Sequence, residues 1–187
     1  MKKMKWLCVS VVLAACCTFV LSQDKANEHH TVGQELQHSA LRAEHEFVSA
    51  ADAMPEDKYS FAPTNGEFKG VRTFAQQVKH VAAVNYILGA AIQGEKPPVD
   101  VGGESGPDSL KTKAEITSFL KDSVEYLSKS VLTIDDKNLL EPIKSPFGAS
   151  MTTRLALATI AISHPFDHYG QMVEYLRMNS IVPPASR

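Results

Sequence analysis

Cysteine is nearly absent from this 187-residue chain: there are three, Cys8, Cys16 and Cys17, and all fall close to the N-terminus. A domain formed from the residues after them has no disulfide to staple it and no thiolate to act as nucleophile or metal ligand. A dense Lys/Arg stripe is missing too. The formal charge is −2, and loss of Lys2, Lys3 and Lys5 with an N-terminal leader would take it to −5. The electrostatic footprint of a nucleic-acid binder is therefore lacking, and no nucleic-acid partner is expected. No segment shows the two-residue period of a strand, and no internal repeat appears. With 44% hydrophobic and 21% charged residues the composition is that of an ordinary globular protein, long enough for one domain with a sizeable core.

What is present begins with MKKMKWLCVSVVLAACCTFVLS, a basic start, an apolar run from Trp6 to Leu21 and a switch to polar residues at Gln23. This reads as a secretory signal over residues 1–22, too short for a membrane span, with cleavage after the small residue Ser22. The protein is thus expected to be exported, periplasmic or secreted. Leu13-Ala-Ala-Cys16 also resembles a lipobox, which would leave a lipid anchor on Cys16, and an uncleaved anchor is a third outcome. Residues 23–31 form a polar tail in which His29 and His30 read as solvated.

From residue 32 to 187 the pattern is that of a single helical domain. Val32, Leu36, Ala40, Ala43, Phe47, Ala51 and Met54 make the apolar stripe of a first helix that stops before Pro55. His38 and His45 lie roughly 200° round from Leu36 and so face solvent. The connection 55–69 carries Tyr59, Phe61 and Phe68 and should lie against the body. A second helix opens at Thr73, with Gln76 at capping-box spacing, and ends before Gly94. It is apolar almost all round, as befits the most buried helix of a bundle, and contains His80 and Asn85. Residues 94–109 form a Gly/Pro linker of crossover length, suited to a flexible flap over one end of the bundle. Thr112 and Glu115 cap a third helix with Ile116, Leu120, Val124, Leu127 and Val131 as its stripe. A polar loop over 133–147 follows, and a fourth helix runs from about Ser150–Thr153 to Asn179. The expected architecture is all-α, a four-helix bundle with a long connection between the second and third helices.

The chemistry concentrates in His164-Pro-Phe-Asp-His168-Tyr-Gly-Gln171. Two histidines four apart share one helix face, and that face continues the stripe of Leu157, Ile160, Ala161, Gln171, Met172 and Tyr175. Imidazoles at this spacing can share one metal ion at about 2.0–2.1 Å each. A pair alone holds a metal poorly, but His80, in a second apolar helix, makes a third ligand available. The competing reading is that the three are core histidines with separate hydrogen-bond partners. Pro165 removes the donor to the Ala161 carbonyl and predicts a kink at the pair. Asp167, about 100° round from His168, suits the surface or a place behind a ligand.

On three pieces, FAQQVKHVAAVNYIL around His80, SHPFDHYGQ with His164 and His168, and the tail YLRMNSIVPPAS, the chain resembles the DinB-like family of four-helix-bundle metalloproteins. The resemblance covers essentially the whole region after the leader. It implies a three-histidine site for a divalent metal at His80, His164 and His168, with zinc first and nickel, iron, copper or manganese as alternatives. Characterised members of the family include transferases acting on low-molecular-weight thiols, so the resemblance implies a metal-dependent hydrolase or transferase, or else a non-catalytic metal-binding or interaction bundle. It also admits a homodimer. Two positions depart from the family's habit: Tyr169 stands where many relatives have Arg, and Ser180 where Gly is common.

Overall fold

Thr73 and Thr112 each accept a hydrogen bond from the backbone N–H three residues on, and the side-chain oxygens of Gln76 and Glu115 accept one from the cap residue's own N–H. These reciprocal caps satisfy donors that a first helical turn leaves open. They fix the starts of α2, Phe74–Gln93, and α3, Lys113–Val131, where the sequence predicts them. α1, Val32–Ala53, stops just before Pro55; α4, Arg154–Met178, starts behind Thr153 and runs through Pro165. The computed structural model describes residues 30–187. The expected leader over residues 1–22 and the expected tail as far as His29 lie outside the described residues.

The four helices pack in the order α1–α4–α2–α3 and back to α1, so that helices consecutive in the chain, α1 and α2 or α3 and α4, sit across the diagonals. Cross-helix pairs give the directions. Asn85 meets Ser123 and Gln93 meets Ser130, so α2 and α3 are parallel, whereas Gln77 meets Gln171 and Arg154 meets the Ile92 carbonyl, so α4 runs against α2. Gln37 against Ser128 and Lys113 against the Met54 carbonyl set α1 against α3. Two parallel neighbours cannot be joined by a tight hairpin, and this is why residues 94–112 are long: they return the chain from one end of the bundle to the other. α2 and α3 approach closely at Gly89, where a Cβ would lie 2.9 Å from both Ser130 Oγ and a Tyr126 ring carbon.

One apolar cluster, with Phe47, Met54, Phe74, Val78, Leu120 and Leu176, fills the end where α2 begins; a second, with Leu88, Ile92, Leu127, Val131 and Leu157, fills the other. The segment after α1 lies on the first: Tyr59 donates to the Ala51 carbonyl at 2.8 Å and meets Phe74 edge-on, and Phe61 meets Tyr175 edge-on. Phe68, by contrast, stays exposed. His38 and His45 are exposed, as the stripe requires.

Three expectations need correction. Ile160 lies at the surface, not on the buried stripe of α4. The stretch before α4, read as loop, contains an antiparallel ribbon pairing Pro142–Lys144 with Met151–Thr153. Strands of three residues are too short for their period to show in sequence. The 94–109 linker is not a free flap, because it is bonded to α2 at the site described next.

Candidate metal centre

His80 projects from α2, and His164 and His168 project from successive turns of α4, the helix beside it. Their rings form a near-equilateral cluster with centroids 5.0, 4.7 and 4.5 Å apart, and one ring nitrogen from each lies within 4.8 Å of the other two. His80 and His168 are buried and His164 is half-buried. The reading of three core histidines that sit apart is thereby set aside. Asp167 is exposed beside them.

What holds each ring matters more than proximity. His80 Nδ1 faces the backbone carbonyl of Glu104 in the 94–112 crossover, and His168 Nδ1 faces Gln77 Oε1 at 2.7 Å. Both partners are pure acceptors, so both Nδ1 atoms carry the proton and each Nε2 keeps an unprotonated lone pair. A metal-binding histidine is commonly oriented in this way. His164 Nε2 stands 3.1 Å from His80 Nε2; two ligands of a tetrahedral ion at about 2.0–2.1 Å each would be ~3.3 Å apart. His164 Nδ1 is buried and has no partner among the described residues. Nitrogen donors converging on one point, two with their outer nitrogens already tied, fit a divalent ion. Among the described residues no fourth His, Cys, Asp or Glu joins them.

The electrostatics favour neutral rings. Burial, and then the neighbouring His168 and His80, push His164 down to about 3; burial, and then His80, push His168 down to about 4. Burial lowers His80 as well, against the opposing pull of the Glu104 carbonyl. An imidazole must be unprotonated to bind a metal, and these rings are so without one.

The crossover is pinned over the site. Lys79 Nζ donates to the Pro107 carbonyl at 3.1 Å, and Gly106, at φ 80°, lies so close to α2 that a Cβ would come within 2.6 Å of Lys79 Cβ. Glycine is required there on both counts. Gln77 and the Glu104 carbonyl were not singled out from sequence. Gln77 had a signal, standing three residues before His80 on the same helical face; the carbonyl had none.

Comparison with known proteins bears on the fold. A DinB-like protein from Bacillus cereus superposes with a TM-score of 0.65 at 15% identity, over 80% of this chain and 93% of that one. A DinB-like protein from Bacillus subtilis gives 0.60 at 17% identity over 78% and 92%, and a conserved protein from Enterococcus faecalis 0.60 at 18% over 80% and 97%. No functionally curated protein matches in sequence. Residues 39–172, which contain all three clustered histidines, match the DinB superfamily, and the chain belongs to that superfamily.

Proposed function

We propose that this protein is an exported metal-dependent hydrolase or transferase whose divalent ion is held by His80, His164 and His168. The observation that carries the reading is the convergence of three neutral imidazoles without a fourth protein side chain among the described residues. A structural zinc site is closed by four protein ligands, whereas a catalytic one keeps a position open. Zinc suits the all-imidazole set, as do nickel, iron and copper, whereas manganese favours oxygen ligands and fits it less well. An ion so held would polarise a substrate group, or lower the pKa of a thiol or water, at its open position. The chain's own part is to keep the rings neutral and aimed. The Glu104 carbonyl and Gln77 hold the tautomers of His80 and His168, and the pinned crossover keeps the first of these acceptors in place.

The test is metal stoichiometry after dialysis, on untagged protein. About one ion per chain is expected in the wild type, with sharp loss in His80→Ala, His164→Ala and His168→Ala, because two ligands bind far more weakly than three. His38→Ala and His45→Ala, on the exposed face of α1, should match wild type. Absence of metal in replete wild type, or full occupancy in any core variant, refutes the site. A chromogenic ester assayed with and without a low-molecular-weight thiol then separates hydrolysis from transfer; no metal-dependent turnover in either assay would favour a binding role. For export, intact mass should show an N-terminus at Gln23; a lipid on Cys16 would mark the anchored form, and retained Met1 in a cytosolic fraction would refute both.

A further inference from the structure

Beside the histidines lies a second feature that the metal reading does not use. Gly70, Arg72, Gln76, Lys79, Ser105 and Asp108 line a pocket of about 190 Å³ between the start of α2 and the crossover. None of the three histidines lines it, but two of its residues are chain neighbours of the metal centre: Lys79 precedes His80 on α2, and Ser105 follows Glu104, whose carbonyl holds the His80 ring. The Arg72 guanidinium makes no hydrogen bond or ion pair with any described residue; only its backbone carbonyl is engaged, by the Tyr175 hydroxyl at 2.9 Å. It is nonetheless near enough for its charge to depress the basicity of all three imidazoles.

The polar inventory of the pocket is one-sided. Arg72 offers an unused planar fork of donors. Gln76 spends its Oε1 on the Thr73 N–H, which leaves its amide N–H groups over. Lys79 uses one of its N–H bonds on the Pro107 carbonyl, and Ser105 adds a hydroxyl. Against these stands one carboxylate, Asp108. Two cations and one anion leave a net positive charge in a recess below the ~300 Å³ at which pockets for whole drug-sized ligands begin. The recess suits a head group.

We infer that this recess is an anion subsite, in which Arg72 anchors a carboxylate or phosphate of the substrate while the reacting part of the molecule lies at the histidine cluster. Asp108 then accepts from a hydroxyl or amino group next to that anion. The inference rests on the metalloenzyme reading and supplies its substrate class: small molecules bearing a fixed negative charge. Arg72 orients the substrate by a bidentate contact and takes no part in bond making.

The experiment is calorimetric titration of the zinc-loaded full chain with inorganic phosphate and, separately, acetate at constant ionic strength, with zinc content measured on each sample. Wild type should bind one anion saturably. Arg72→Ala should weaken binding at least tenfold and Arg72→Lys by less, because a lysine keeps the charge without the fork. Lys121→Ala, whose ion pair with Asp52 lies on α3 and α1, should be unchanged, and zinc content should be equal in all. Tighter binding of phosphate or of acetate identifies the preferred anion. If the affinity is the same in Arg72→Ala, the anion is held by the metal or elsewhere, and the subsite is refuted; absence of saturable binding in wild type refutes it too. If the chain takes up no zinc yet binds an anion through Arg72, the metal reading fails while the subsite stands.

Discussion

Gln77 Oε1 on α2 and His168 Nδ1 on α4 are 2.7 Å apart, and the other end of the same amide donates to Gln171 Oε1 at 2.8 Å. The imidazole is thus held by a residue of the neighbouring helix, which α4 itself holds in turn. Gln77→Leu should lower metal affinity by about 10–100-fold, the usual cost of losing such a partner. Gln77→Glu, which restores an acceptor, should recover most of it. Competition against a chromogenic chelator reads both, and equal affinity in Gln77→Leu would show that the tautomer is set by something else.

The histidine shifts fix a pH window for the metal and for the metal-free fold. His164 and His168 fall from 6.5 to about 3 and about 4. The unfolded chain therefore takes up protons below pH 6.5 that the folded chain refuses. Stability contributed by these groups is complete above 6.5 and is lost as pH falls through 4 towards 3. Metal should accordingly stay bound at pH 5.5, where a free histidine is already largely protonated. Dialysis in steps from pH 7 to 4 tests this; half-release near pH 6.5 would contradict it.

Glu44 carries the opposite slope. Its carboxyl is buried, and among the described residues neither of its oxygens, nor Asn85 Oδ1, has a hydrogen-bond partner. Burial raises it from 4.5 to about 8, against an opposing pull from the Asn85 amide. Here the folded state binds the proton more tightly, so stability should fall as pH rises from 4.5 to 8, by up to about 1.4 kcal/mol per pH unit. Glu44→Gln should abolish this dependence and raise Tm at pH 8. Denaturant melts at pH 5.5, 7 and 8 measure it, and a wild type with no fall over that range would rule the buried acid out.

Ser180 is the one non-glycine described residue at positive φ, 61°. It ends α4: its N–H bonds to the Arg177 carbonyl, and the Ile181 N–H to that of Leu176, both at 2.9 Å. This is the left-handed closure that glycine serves without strain. Ser180→Gly should stabilise the fold by about 0.5–1 kcal/mol, the relieved strain being partly offset by the greater entropy of the unfolded chain. Chemical denaturation decides it, and a destabilised Ser180→Gly would count against strain at this cap.

Local information was enough for much of this protein. Capping boxes at Thr73 and Thr112, the halt before Pro55, Gly94 at a helix end and the apolar stripes are all properties of a few neighbouring residues, and each helix formed where they put it. His80, and the pair His164 and His168, were legible because helical spacing aimed them inward. Glu44 was legible in principle, lying three before Phe47 and four after Ala40 on the buried stripe. The ribbon at 142–153 was not, since three-residue strands leave no period. What only the tertiary structure decided is what depends on two segments meeting: that α2 and α3 run parallel, that the crossover returns along the bundle, and that its Glu104 carbonyl and the Gln77 amide come to hold two of the histidine rings. A backbone carbonyl has no letter in a sequence, and no spacing within one helix reports which face of another it will touch.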